Sequence, residues 1–193
     1  MGNASLNTEL LDRAIIFAVK AHAGTQRRGK GFPYIVHPLE AMAIVATISP
    51  DQELLAAAAL HDVVEDTDVT IDDIRSEFGE RVASIVRSES DQPEADESEE
   101  QSWFRRKEAA MARLEAASRE SKIVALGDKL SNMRAIARDY AVKGDALWQI
   151  FHVKERSAHE WHYRGLARSL SELSDTAAYA EFINLINTVF PSK

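Results

Sequence analysis

The stretch Leu54–Thr67, LLAAAALHDVVEDT, decides both the fold and the place of the chemistry. Leu54–Leu60 is apolar at every position, so a helix built from it has no face for water and is buried all round. It then runs into four ionisable groups, His61, Asp62, Glu65 and Asp66. Residues four apart share a helix face, which puts His61 and Glu65 on one stripe and Asp62 and Asp66 on the next. Like charges this close resist ionisation, and buried charges need a partner. Either the groups face water or a divalent cation neutralises them.

Outward from this segment, apolar residues recur at helical rather than strand spacing. Thr8–Ala23 carries Leu11, Ile15, Ala18 and Val19 on one face and stops at Gly24, where a glycine-rich basic loop, Gly24–Tyr34, begins. Pro38 suits the first turn of a second helix to about Ile48. Ser49-Pro50-Asp51 breaks it and caps a third, Gln52 to about Val64. Thr70 and Asp73 make a capping box for Ile71–Phe78, and Gly79 separates that helix from Arg81–Arg87. Ser102–Ala117, Ser121 to about Val142, Trp148–Ser171 and Thr176–Val189 read as further helices, with Trp148 and Trp161 as core anchors. The expected fold is all-α, one domain over 1–193 with about eight to ten helices. An acidic loop at 88–101 is the only insert-like segment.

The chain of 193 residues, 45% hydrophobic and 28% charged, can bury a sizeable core without staples. It has no cysteine, which excludes disulfides and thiolate metal ligands and agrees with a reducing compartment. No apolar run approaches the ~20 residues of a membrane span. The start, MGNASLNTELLDR, lacks the basic and apolar regions of a signal peptide, so a cytoplasmic setting is expected. The net charge of −8 argues against a broad nucleic-acid surface. Ser88–Glu100 holds seven acidic residues and no basic one, leaving the rest of the chain at −1. A local basic cluster can therefore still attract a small anion.

Two residues are too few to hold a metal. His37 sits at a loop-to-helix junction before Pro38, and Asp128 is an acid inside an apolar helical run with Asn132 at i+4. Two imidazoles and two carboxylates suit Mn²⁺ or Fe²⁺, with Zn²⁺ less favoured and Mg²⁺ disfavoured. Each residue also has an ordinary explanation. His61 alone fits a core histidine, Asp128-Lys129 a surface ion pair, and Arg27-Arg28-Gly29-Lys30 a solvated basic loop. His159 and His162, three apart, lack a partner of matching context and read as core or surface residues.

His37, the His61-Asp62 doublet and Asp128 resemble the H…HD…D signature of HD-domain phosphohydrolases. The surrounding words narrow the match. Arg27-Arg28 with Pro33-Tyr34-Ile35-Val36-His37-Pro38, His61-Asp62-Val63-Val64-Glu65-Asp66-Thr67, and Gly127-Asp128-Lys129-Leu130-Ser131-Asn132-Met133-Arg134 resemble the hydrolase domain of RelA/SpoT-type alarmone enzymes. In size the chain is similar to the small, Mesh-type hydrolases that lack a synthetase. The resemblance implies an HD fold and metal-dependent removal of the 3′-pyrophosphate of (p)ppGpp, leaving GDP or GTP, with one divalent ion, typically Mn²⁺. By motif position, His37, His61, Asp62 and Asp128 would hold the metal. Glu65 and Asp66 would position or activate water. Arg27 and Arg28 would pack on the guanine, with Asn132 and Tyr163 beside the nucleotide. The implied partner is a small guanine nucleotide, with no nucleic-acid polymer and no membrane; a homodimer stays open.

The sequence departs from that pattern in places. Gly29-Lys30-Gly31-Phe32 stands where the family has a shorter serine-glycine-glutamate. Gly127 stands where alanine is usual, which is expected to cost about 1 kcal/mol of helix propensity and loosen the segment carrying Asp128. Competing readings are an HD phosphohydrolase of another nucleotide, such as an NADPH phosphatase, and a nucleotide sensor without catalysis.

Overall fold

The computed structural model describes residues 7–27, 29–89 and 99–191. Arg28 and residues 90–98, the middle of the expected acidic loop, lie outside the described residues. The helices are α1 (Glu9–Ala21), α2 (Val36–Ala46), α3 (Gln52–Leu60), α4 (Val63–Asp66), α5 (Ile71–Phe78), α6 (Glu80–Glu89), α7 (Glu99–Ala116), α8 (Arg119–Lys143), α9 (Arg156–Ser169) and α10 (Ala177–Val189). Among the described residues the only β pairing is an isolated bridge, Gln26 to Pro33, that closes the basic loop. None of these helices is long and apolar enough to cross a membrane.

The all-apolar reading of Leu54–Leu60 holds: every residue of that run is buried, and α3 packs against α1, α2, α6 and α8. α8 is the second axis of the fold, buried without interruption from Ser121 to Asp128. Leu60, Leu126, Leu130 and Met133 are fully buried between these helices. Truncating one such side chain to alanine costs about 2–5 kcal/mol. The expected caps also form. Asp51 accepts from the Glu53 amide, and Thr70 with Asp73 makes the complete capping box. A cap the sequence reading did not name, Ser118, accepts from the Ser121 amide and starts α8 at Arg119.

Two expected helices differ. The one from Gln52 to Val64 is broken at His61–Asp62, where Asp62 turns to φ −92°, ψ −6° before α4 resumes. The one over Trp148–Ser171 is split. A 3-10 run, Gly144–Ile150, gives way to extended chain at Phe151, and α9 starts only at Arg156. Burial of Val153 and a 2.8 Å contact between its carbonyl oxygen and His159 Nε2 override the helical spacing there. Trp148 is a core anchor as expected. Trp161 is half-buried and instead meets the rings of Trp103 and Phe104.

Candidate metal centre and adjoining clefts

α2, α3 and α8 pack on one another, and each brings polar residues to the same point. His37 is in the first turn of α2, His61 and Asp62 form the α3–α4 break, and Asp128 ends the buried run of α8. His37 Nε2 lies 3.1 Å from Asp128 Oδ1 and 3.4 Å from Asp62 Oδ2. His61 Nε2 lies 3.0 Å from Asp62 Oδ2 and 3.6 Å from Asp128 Oδ1. One donor atom each from His37, His61 and Asp128 falls within 4.8 Å of the others.

Bonds on the far sides of the rings fix the tautomers. The Ala58 carbonyl can only accept, so His61 Nδ1, 2.8 Å away, carries its proton. Ser131 Oγ donates to Glu40 Oε2 at 2.8 Å and so accepts from His37 Nδ1, also at 2.8 Å. In the neutral rings both Nε2 atoms are then bare lone pairs facing two carboxylates. His61 Nε2 is buried and makes no hydrogen bond despite its closeness to Asp62. Electron-rich donors converge like this only around a cation, so the donor set fits a divalent metal.

Without a metal, a proton takes the cation's place. Burial disfavours a charged His61, yet the Asp62 and Asp128 carboxylates outweigh it and hold its pKa well above the ordinary imidazole value. Burial would raise Asp62, but the His61 imidazole brings it down to about 2. Asp128, also opposed by burial, is held well below the usual carboxylate range by Lys129 and the two imidazoles.

A ring of neighbours locks these groups. Tyr34 Oη donates to Asp62 Oδ2 at 2.6 Å, and Lys129 pairs with Asp128 Oδ2. Asn132 Nδ2 donates to Asp128 Oδ1 at 2.5 Å while its Oδ1 accepts from Arg27 Nη2 at 2.7 Å. The Arg27 guanidinium lies 6.0 Å from the centre of the Tyr34 ring.

Two clefts open from the centre and share Tyr34 and Asn132. The polar one, about 220 Å³, is lined by Glu65, Glu89, Lys107, Arg113, Lys129 and His162 around His37, Asp62 and Asp128. The apolar one, about 330 Å³, has walls of Trp103, Ile136, Leu147, Phe151 and Tyr163, with Arg27 at its edge. The fold thus gathers His37, His61, Asp62 and Asp128, with Asn132 and Glu65 beside them. Tyr163 lies on the apolar wall. Asp66 is exposed and lines neither cleft, though its charge acts on Tyr34 and His22.

Sequence reasoning missed Tyr34, Ser131 and Glu40 as supports, and Lys107 and Arg113 on α7. It also misplaced Glu89. That residue closes α6 with a side chain only 6% exposed, 3.9 Å from Lys129, and burial pushes its carboxyl up to about 7 against the pull of Lys129. His162 is driven down to about 3 by burial and the nearby Lys107 and Lys129, so it stands neutral on the cleft wall.

A family model described as "HD domain" matches residues 14–153. Zebrafish guanosine-3′,5′-bis(diphosphate) 3′-pyrophosphohydrolase MESH1 is 33% identical over 135 residues, 68% of this chain and 72% of that protein. A Synechocystis protein named as a probable enzyme of the same activity is 39% identical over 131 residues, and an Aquifex aeolicus one is 46% identical over 80. The chain spans only 17% and 11% of those two longer relatives. A solved structure of a metazoan ortholog of SpoT superposes with TM-score 0.75 over 95% of this chain and 97% of that one, at 22% identity, a likeness of fold. A crystal structure from Listeria monocytogenes EGD-e gives 0.69 at 27% identity, over 84% of this chain and 98% of that one. The chain belongs to the HD-domain family and is a relative of zebrafish MESH1.

Proposed function

We propose that this chain is a metal-dependent 3′-pyrophosphohydrolase of (p)ppGpp, acting in the cytoplasm as one domain over 1–193. The carrying observation is the convergence of the His37 and His61 Nε2 atoms on the Asp62 and Asp128 carboxylates, beside a cleft lined by Lys107, Arg113 and Lys129. The names of the zebrafish, Synechocystis and Aquifex relatives support the same substrate.

In this reading His37, His61, Asp62 and Asp128 hold Mn²⁺, which when bound polarises a phosphoryl oxygen and lowers the pKa of water. Tyr34 and Asn132 orient the two carboxylates through the hydrogen bonds described above. Glu65, exposed on the cleft wall, accepts a proton from the attacking water or orients it, with Asp66 steering from behind. Water gives a proton to Glu65 as its oxygen adds at the phosphorus linked to O3′, the P–O3′ bond breaks, and that proton passes on to O3′, leaving a 3′-hydroxyl and pyrophosphate. Lys107, Arg113 and Lys129 attract the pyrophosphate. Arg27 and Arg28 pack on the guanine, with Asn132 and Tyr163 beside the nucleotide.

The test is purified protein with Mn²⁺, challenged separately with ppGpp, NADPH and GTP while pyrophosphate and orthophosphate are followed. Pyrophosphate from ppGpp, lost in Asp62→Ala and on chelation, is the expected result. Orthophosphate from NADPH alone would overturn it in favour of an NADPH phosphatase. Tight ppGpp binding without turnover would make the chain a sensor.

A further inference from the structure

We infer that Asp139 and Lys30 form a base-reading pair in the lining of the apolar cleft and select guanine over other purines. The inference rests on the hydrolase reading above and adds to it which residues set base identity. The apolar cleft is walled by hydrocarbon and aromatic rings, and Asp139 is the one carboxylate among the described residues that line it. Lys30 Nζ holds Asp139 Oδ2 at 2.6 Å and also reaches the Ala135 carbonyl at 3.4 Å. Both side chains are largely shielded, 16% and 20% exposed, and Lys143 adds a weaker cation 3.7 Å from the same carboxylate oxygen.

Lys107, Arg113 and Lys129 line the polar cleft beside the metal-ligand set, so the phosphates belong there and the apolar cleft is left for the base. Asp139 follows Asp128 by eleven residues on α8, about 16 Å along the axis, with Asn132 between them, shared by both clefts. A nucleotide whose phosphate lies by Asp128 therefore sends its base toward Asp139. Guanine offers adjacent donors, N1–H and the N2 amine, matching the two acceptor oxygens of a carboxylate; adenine offers a lone pair at N1 in the same place. Lys30 spends two of its three N–H donors on Asp139 and Ala135, leaving the third for guanine O6. Paired hydrogen bonds of this kind discriminate between bases by about 10- to 100-fold.

Hypoxanthine lacks only the N2 amine, which makes it the informative probe. The experiment compares kcat/KM for guanosine and inosine 3′,5′-bis(diphosphate) with Mn²⁺, in the wild type and in Asp139→Ala and Lys30→Ala. The wild type is expected to prefer guanosine about 10-fold, mainly through KM. Asp139→Ala removes the acceptor for N1–H of both bases and for N2 of guanine alone, so it is expected to lower the guanosine value about 10-fold more than the inosine value and so abolish the preference. If the wild type treats the two alike, the inference is overturned. It is equally overturned if Asp139→Ala slows both nucleotides by the same factor, since the pair would then be only a strut for the Gly24–Tyr34 loop. If neither nucleotide yields pyrophosphate with the wild type, the hydrolase reading itself falls and takes base selection with it.

Discussion

Gly127→Ala is the substitution for which helix propensity and packing disagree in sign. On an isolated helix, alanine gains about 1 kcal/mol over glycine. In this fold a Cβ on Gly127 would stand 2.7 Å from Val45 Cγ2 and 2.8 Å from the Ala41 carbonyl oxygen, both on α2. Ordinary contact begins at 3.4 Å, so α8 must retreat from α2 by about 0.6 Å, and backbone cannot rotate aside as a side-chain tip can. Overpacking of this kind costs about 1–3 kcal/mol, which cancels the propensity gain and leaves a net loss of about 0–2 kcal/mol. The retreat also carries Asp128, the next residue, away from His37, now 3.1 Å from it. Urea denaturation should show the loss, and Mn²⁺ titration a weaker site. A variant more stable by about 1 kcal/mol with unchanged Mn²⁺ affinity would refute the reasoning.

Two further outcomes follow from the centre's electrostatics. Glu89 rests near pKa 7 in the folded chain against 4.5 when unfolded, so the unfolded chain releases its proton first and stability falls as pH rises between those values. Across that gap the loss is about 3 kcal/mol, so Glu89→Gln in metal-free protein should raise the melting temperature at pH 8 and leave it nearly unchanged at pH 4; equal shifts at both would contradict the assignment. His61 keeps a second proton above the ordinary imidazole range while its carboxylate neighbours lack a metal, so Mn²⁺ must expel it. Affinity should rise with pH through neutrality, and calorimetry in buffers of different ionisation enthalpy should report proton release; buffer-independent heat would count against it.

What the sequence made legible was local. Apolar spacing outlined the helices, and the His61-Asp62 doublet with Asp128 at the end of a buried run marked the centre, because a charge in such a run must have a partner. What it hid depends on contacts between distant segments. Lys129 read as half of a surface ion pair, since spacing cannot tell that this face of α8 meets the end of α6 at Glu89. Tyr34 and Ser131 are ordinary residues until the fold sets their hydroxyls against Asp62 and His37. Gly127 looked like a weakness in α8 because the closeness of α2 is invisible along the chain. Arg28 lies outside the described residues, so its part in base stacking rests on its motif position.

The hydrogen bonds behind His37 do not stop at Glu40. Arg134 reaches Glu40 Oε1 at 3.4 Å and grips Glu181 on α10 at 2.6 and 2.7 Å. The imidazole is thus wired to the rear of the molecule through alternating acids and bases. A mutation at position 181, remote from any substrate, can retune how strongly that nitrogen donates electrons to its ion, which gives selection a dial for reactivity that leaves the cleft lining untouched.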